Sequence, residues 1–355
     1  MVRFAKTKMN SNLHENEDRF KQIFKYYKCN KPKPSYCNVL KLDGSSIMPS
    51  LQNSLVKGLP VRNIEDARSK VLGLQELKEW KSYGFQKHPG LIFIKNPFTN
   101  LGQRYWIRRC LEEYPRKPNI TNLDIEINLQ DWWLECHSNV PCNRQLLKKL
   151  RWATLGYHHN WDTKLYSEEN KNTFPEDLAE LTDVVARYLN YDNFRAEAAI
   201  VNYYHMDSTL SPHTDHSEVN LEAPLFSFSF GQSAVFLLGG TDKTVEPSAI
   251  LLNSGDIVIM SKEARLCYHA VPRILPATSK PWEHLSEVPF VGSELSYFKY
   301  ITNGNEMVSL VNRNADSAEW NKFGKYVNES RININVRQVL NNSQKNLNDM
   351  HFNVI

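Results

Sequence analysis

Between residues 198 and 340 the chain is written in short extended runs, and one of them alternates without exception. In Leu225-Phe226-Ser227-Phe228-Ser229-Phe230 every second position is a phenylalanine. A strand there points the three rings to one side and the two serines to the other. Residues 331–340 predict a last strand, and in it Arg331, Asn333, Asn335 and Arg337 share one face. Residues 198–204, 234–238, 250–252 and 257–260 supply further runs. Gly239-Gly240 closes one of them, and Asn253-Ser254-Gly255-Asp256 reads as a hairpin-type turn between the last two. Many short strands with regular turns predict a sandwich or jelly roll.

Upstream the period changes. Phe20, Ile23, Phe24 and Tyr27 stand at i, i+3, i+4 and i+7, which predicts a helix over 15–28 with one apolar stripe. Glu15, Glu17 and Asp18 at its start and Lys25 and Lys28 at its end suit the helix dipole. Further helices are predicted over 100–114, 144–151 and 175–190, and a buried strand over 91–94. Residues 31–63 read as an extended linker, 275–315 as a long loop, and the Asn-rich end from 341 as a frayed tail. The fold class is therefore α+β with a mainly β core: a double-stranded β-helix (jelly roll, cupin-like) carrying a helical N-terminal extension. The expected division is 1–85 for extension and linker, 86–340 for the main domain with its β-helix core at about 195–340, and 341–355 for a flexible tail.

Composition sets limits. With 355 residues, 41% apolar and 23% charged, a sizeable core is within reach. A net charge of +4 and a pI near 8.6 permit nucleic-acid binding without demanding it. The six cysteines form no C-x-x-C pair, and Cys136, His137 and Cys142 lack a fourth ligand at zinc-finger spacing. A reducing compartment is expected: nucleus, cytoplasm or mitochondrion. No run is long and apolar enough for a membrane span, and a monomer is expected. Residues 1–14 carry basic groups and no acid before Glu15, and read as a solvated start in preference to a mitochondrial presequence.

The chemistry gathers on three residues. His213 and Asp215 stand two apart, so an extended backbone points them the same way, and His269 can approach from a neighbouring strand. Two histidines and one carboxylate hold non-haem Fe(II) on one face and leave the other open. Among eleven histidines an isolated H-x-D means little; it gains weight from Arg331 and Arg337 on the late strand, whose forks suit a dicarboxylate. The set predicts a dioxygenase using Fe(II), 2-oxoglutarate and O2, with His213, Asp215 and His269 as metal ligands and catalytic centre. His158, His159 and His216 are expected to be polar or base-facing and not ligands.

These residues carry a resemblance. The segments 194–218, 224–240, 253–261, 268–276 and 331–340, with 89–98 and 150–162 upstream, resemble the AlkB family of 2-oxoglutarate oxygenases, which act on methylated nucleic acids. The resemblance spans about residues 16–340. It implies that Asn202 and Tyr204 bind 2-oxoglutarate, that Arg331 takes its distal carboxylate with Asn333 beside it, and that Arg337 closes the other side. The family pattern R-x-N-x-T-x-R has Asn335 in place of the Thr. Where the bacterial prototype places a base-reading acid two positions after the ligand Asp, this chain has Ser217, with Glu218 next.

Chemistry on a base needs the base out of its stack, against rings and a cationic rim. Residues 144–166 offer Lys148, Lys149 and Arg151, then Trp152, Tyr157 and Tyr166. The resemblance puts a substrate lid at about 144–170 and makes these residues, with Ser217 and Glu218, the expected substrate contacts. Read alone, the same stretch also suits core tryptophans beside a solvated basic helix. The expected activity is oxidative demethylation or hydroxylation of methylated bases: tRNA (1-methyladenine, 5-methylcytosine) first, N6-methyladenine in unpaired or bubbled DNA second. A protein (histone) demethylase and an inactive nucleic-acid-binding module are the alternatives.

Overall fold

The structure, a computed structural model, describes residues 17–42, 56–59, 61–62, 64–285 and 298–352. The expected basic start at 1–14 and Glu15 lie outside these residues. Thirteen strands among them form two antiparallel sheets. They are β1 (Val56–Gly58), β2 (Lys81–Phe85), β3 (Leu91–Lys95), β4 (Ile120–Thr121), β5 (Trp152–Gly156), β6 (Ala198–His205) and β7 (Leu210–His213). Then follow β8 (Leu225–Gly231), β9 (Ser233–Leu238), β10 (Ser248–Leu252), β11 (Ile257–Met260), β12 (His269–Leu275) and β13 (Ser330–Arg337). The large sheet runs β1-β2-β3-β11-β8-β13-β6-β5-β4 and the small one β10-β9-β12-β7. This is the expected jelly roll.

The alternation at the centre of the large sheet separates two environments. Phe226, Phe228 and Phe230 of β8, with Ile332, Ile334 and Val336 of β13, enter the core under the helices Asn100–Arg108 and Glu176–Tyr188. Ser227, Ser229, Arg331 and Asn333 face the other way, where Ser229 and Ser227 accept from Arg331 and Asn333. The space between the sheets is filled by Phe93, Leu225, Phe236, Leu238 and Val271. Gly231 crosses from β8 toward β9 at φ 78°, and a Cβ there would stand 2.5 Å from the Ser330 carbonyl oxygen. A side chain would push β13 off its register at the point where Arg331 begins.

The N-terminal helix is Arg19–Lys28, capped by Asp18, whose carboxylate accepts from the Lys21 N–H at 2.8 Å. Its stripe lies on the chain's own small sheet: Phe20, Phe24 and Tyr27 pack on Val235, Leu237, Ala249 and Ala270. Burying each of those rings is worth roughly 1.5–3 kcal/mol. Helix and small sheet therefore share one core.

Several expectations change. The cut after residue 85 falls between β2 and β3, which pair through Tyr83 and Phe93, so the sheet begins before it. Residues 31–63 hold β1, which pairs with β2, and Leu40, which bridges Ile250. Residues 253–256 join strands of different sheets and form no hairpin: Asp256 accepts from the Asn253 and Asn96 N–H groups and turns the chain from β10 toward β11. The long loop at 275–315 contains the helix Gly304–Asn312, and Ser317–Val327 follows it; part of that loop, 286–297, lies outside the described residues. The tail is tied down as far as Asp349. Arg195 donates to the carbonyls of Asn341 and Asn342, and the Leu347 N–H donates to Glu168.

Candidate active site

The two histidines of the triad are cross-strand partners, His213 on β7 opposite His269 on β12, with ring centroids 4.2 Å apart. The loop that leaves β7 brings Asp215 between them. Its oxygens stand 3.9 Å from His213 Nε2 and 3.7 Å from His269 Nε2. All three ligand atoms lie within 4.8 Å of one another, and no other such group of His, Cys, Asp and Glu occurs among the described residues. The Nδ1 atoms lie 2.9 Å from the Ser211 carbonyl oxygen and 3.2 Å from that of Cys267. A carbonyl only accepts, so each Nδ1 carries the proton and each Nε2 presents a lone pair to the shared point.

Asp215 is held from two sides. Arg337 Nη2 donates to its Oδ2 at 3.0 Å, and Arg265 Nη1 to its carbonyl oxygen at 2.6 Å. Glu218 ties the two arginines together, 2.9 Å from Arg265 Nη2 and 3.1 Å from Arg337 Nε, and also accepts from the Tyr166 hydroxyl at 3.2 Å. Burial alone pushes the Asp215 carboxyl up. Arg337, His269, His213 and Arg265 outweigh it and hold the group below the ordinary carboxylate range. Burial, helped by His213, lowers His269 to about 4 and keeps it a neutral ligand.

Deeper in the barrel, β13 and β6 pair Arg331 with Tyr204 and Asn333 with Asn202. Arg331 is 1% exposed. Its Nη2 donates to Ser229 Oγ at 2.9 Å, while Nε and Nη1 have no partner among the described residues. Burial lowers its pKa to about 10, only partly offset by Tyr204 and Asp256. Burial raises the Tyr204 phenol to about 12; it feels Arg331 on one side and Asp215 on the other. A buried guanidinium with two idle donors calls for an anion. The donor set fits Fe(II) at the triad and the distal carboxylate of 2-oxoglutarate at Arg331. Asn333 donates to Ser227 Oγ and to the Phe228 carbonyl, so its amide braces the pocket wall.

Above the triad opens a cavity of about 670 Å³. His159, Trp161 and Tyr166 form its ring wall, and Lys164 and Lys243 its cationic rim. Asn202, Asn335, Ser217 and Glu218 line it too. His159 and His216 line it without joining the ligand set, as expected. His158 instead is buried against Thr154 and Asn172.

The other expected substrate contacts divide. Tyr166 reaches the cavity, and Trp152 backs Trp161 at 5.2 Å between ring centroids. Tyr157 is 1% exposed, donates its hydroxyl to Glu168 and packs under the lid, a strut and not a base contact. Glu218 spends its carboxylate on Arg265, Arg337 and Tyr166. Lys149 pairs with Glu126 at 3.6 Å, and Arg151 donates to Ser208 Oγ. Lys148, on the short helix Arg144–Lys149, lines a different groove. Sequence reasoning did not find Arg265: it acts through a backbone carbonyl and through Glu218, which leaves no spacing signal. Trp161 was not singled out either; Lys164, three residues on and set over its ring at 5.6 Å, is the signal that could have found it.

Residues 90–337 match the family model described as the 2OG-Fe(II) oxygenase superfamily. The chain is 37% identical over 344 residues to the nucleic acid dioxygenase ALKBH1 of Homo sapiens, covering 92% of this chain and 85% of that protein. It is 32% identical over 290 residues to the tRNA demethylase abh1 of Schizosaccharomyces pombe, covering 75% of this chain and 85% of the relative. It is also 32% identical over 285 residues to the DNA N(6)-methyladenine demethylase ALKBH1A of Arabidopsis thaliana, covering 71% and 75%.

Proposed function

The chain belongs to the 2OG-Fe(II) oxygenase superfamily, in its AlkB family, and from that premise we propose that it oxidatively demethylates or hydroxylates methylated nucleobases. It is a dioxygenase using Fe(II), 2-oxoglutarate and O2. In this reading tRNA bearing 1-methyladenine or 5-methylcytosine is the first substrate and N6-methyladenine in unpaired DNA the second. The relatives named as a tRNA demethylase and a DNA N(6)-methyladenine demethylase support both substrate classes. The observation that carries the reading is the triad cavity itself: a ring wall of His159, Trp161 and Tyr166 and the cations Lys164 and Lys243 stand over the metal ligands. Rings take a flipped base and cations take its phosphates.

Bound Fe(II) with 2-oxoglutarate supplies the oxidising power that hydroxylates a methyl C–H, converting O2 and the co-substrate to succinate and CO2. His213, Asp215 and His269 hold the metal. Arg331 orients the co-substrate by its far carboxylate, and Tyr204 and Asn202 line the path between. Arg337 and Arg265 fix Asp215, so that the ligand set is rigid before anything binds. Tyr166, tethered to Glu218, anchors the lid. The enzyme acts as a monomer, and in a reducing compartment (nucleus, cytoplasm or mitochondrion); the six unpaired cysteines support the second of these.

The test is succinate release by the Fe(II)-loaded protein, offered methylated tRNA, methylated DNA and methylated histone peptide side by side. Stimulation by nucleic acid, lost in His269→Ala, is the expected result. Stimulation by the peptide alone turns the reading to a protein demethylase. Tight nucleic-acid binding without succinate turns it to a binding module.

A further inference from the structure

A second concavity, away from the triad, is more cationic than the cavity above it. A groove of about 1120 Å³ opens between the segment 133–148 and the helix Ser317–Val327. Six lysines and arginines face two glutamates across it, an excess of four that matches the +4 net charge of the whole chain. Arg108 and Arg313 share Glu319, at 3.1 and 2.7 Å. Arg144, Lys148 and Lys325 are exposed and have no carboxylate partner among the described residues.

Trp133, 2% exposed, forms part of the groove wall. Phe323 stacks on the ring at 5.0 Å between centroids, and Lys322 approaches it to 5.8 Å. Free cations ask for acceptors, and a polyanion rich in oxygen supplies them. The groove and the triad cavity flank the end of β6 on opposite faces of the large sheet. His205, the last residue of β6, lines the groove on the helix-covered face, where it meets Tyr326, and Asn202 on the same strand lines the cavity on the other. Thr209, just after the strand, also lines the cavity, so a strand leaving the triad reaches the groove around the turn that joins β6 to β7.

We infer that this groove is a second nucleic-acid track, in which Arg144, Lys148 and Lys325 take the phosphodiester backbone of the strand flanking the target base. The inference rests on the nucleobase reading above and adds where the rest of the polymer runs. It makes the enzyme a reader of polymer length: a substrate long enough to leave the cavity past β6 gains contacts that a short one lacks.

The experiment compares the wild-type protein with an Arg144→Glu/Lys325→Glu variant and a charge-keeping Arg144→Lys/Lys325→Arg variant. Thermal unfolding first checks that all three fold alike. Binding of a methylated stem–loop RNA and of a methylated trinucleotide is then followed by fluorescence anisotropy over a range of NaCl concentrations. Removing two backbone contacts to a single strand flattens the log–log salt slope by about 1.4. Charge reversal should therefore weaken the long RNA about tenfold or more at low salt and shrink the slope by that amount. The trinucleotide should hardly respond, and the charge-keeping variant should behave as wild type. Equal weakening of long and short RNA overturns the track in favour of a general field effect. Unchanged RNA binding, with salt-sensitive binding by wild type, overturns the track and leaves the nucleobase reading standing. Loss of poly-glutamate binding with RNA binding intact assigns the groove to an acidic protein. Wild-type protein that neither binds RNA nor releases succinate with it removes both readings together.

Discussion

The two ends of β13 carry the same side chain, equally buried, in opposite electrostatic states. At one end Arg337, 4% exposed, faces Asp215 at 3.0 Å and Glu218 at 3.1 Å, with Nη1 alone left without a partner among the described residues, and Arg265 closes the ring. At the other, Arg331 has a serine hydroxyl and, among the described residues, no carboxylate partner. Burying a guanidinium costs several kcal/mol unless an anion compensates it. The protein meets that cost internally at the Arg337 end and leaves it to a ligand at the Arg331 end. A closed network builds a site, and an open charge waits for a substrate. The contrast separates residues whose loss should cost stability from those whose loss should cost binding.

The closed end gives the largest effect expected of any single substitution. Glu218→Ala leaves Arg265 and Arg337, both almost fully buried, with only Asp215 between them. Removing one partner of a buried pair costs about 3–5 kcal/mol, and chemical denaturation should show a loss of that order. A variant as stable as wild type would mean that the arginines are neutralised some other way. The open end should respond in the reverse sense. Arg331→Met removes an uncompensated buried charge, so the stability of the ligand-free protein should hold or rise. Its affinity for 2-oxoglutarate should fall about 100-fold, the worth of a strong charge-assisted contact. Thermal shift checks both halves at once. Saturating 2-oxoglutarate at about 100 times its Kd should stabilise wild type by about 2.7 kcal/mol and the variant hardly at all. An Arg331→Met protein that is less stable without ligand and still responds to 2-oxoglutarate would erase the distinction between the two ends.

Both ends were legible in the sequence because the information there is local. Alternation put Arg331, Asn333, Asn335 and Arg337 on one face, and the two-residue step put His213 and Asp215 together. What closes the network was not legible. Arg265 sits in the single turn Lys262–Leu266, and nothing about Lys-Glu-Ala-Arg-Leu says that its guanidinium reaches an Asp215 carbonyl fifty positions away. Glu218 was read as a base contact because its neighbour Ser217 holds the position of such a residue; only packing shows its carboxylate taken up three times. Lys148 was drawn into the lid by nearness in sequence, whereas the direction of Arg144–Lys149 is a tertiary fact. Asn253-Ser254-Gly255-Asp256 has the same residues whether it joins two paired strands or carries the chain between sheets. The helix Ser317–Val327 did leave a signal: Trp320, Phe323 and Val327 repeat at helical spacing, and all are buried.

Neutral buried groups test the contrast from another side. Burial lowers both His88 and His158 to about 4, and each is satisfied by uncharged partners: Ser248 for His88, Thr154 and Asn172 for His158. A histidine whose folded pKa lies below its ordinary 6.5 resists protonation in the native state. Its contribution is complete above pH 6.5 and is lost as the pH falls toward 4. The pair should therefore make unfolding easier by roughly 5 kcal/mol between pH 7 and pH 4.5. Urea midpoints at pH 7 and pH 4.5 measure the drop, and His88→Gln/His158→Gln should shrink it. An identical drop in the variant would assign the acid sensitivity to the carboxylates of the closed network.

The smallest effect is expected midway between the two ends. Asn335 stands where the family pattern has Thr, on the site face of β13, half-buried and lining the triad cavity. It makes no bond to the Arg337 network and none to Arg331 among the described residues. Restoring the usual residue with Asn335→Thr changes one hydrogen-bonding group for another beside a wall already fixed by strand pairing to Ile200 and Ser227. Both ends of the strand should be indifferent to it. Stability should move by less than about 0.5 kcal/mol, as for substitutions away from packed or charged features, and the KM for 2-oxoglutarate by less than about twofold, which is under about 0.5 kcal/mol. A larger change in KM with unaltered stability would place Asn335 against the co-substrate and extend the open end of the strand toward the metal. A larger change in stability would join it to the closed one.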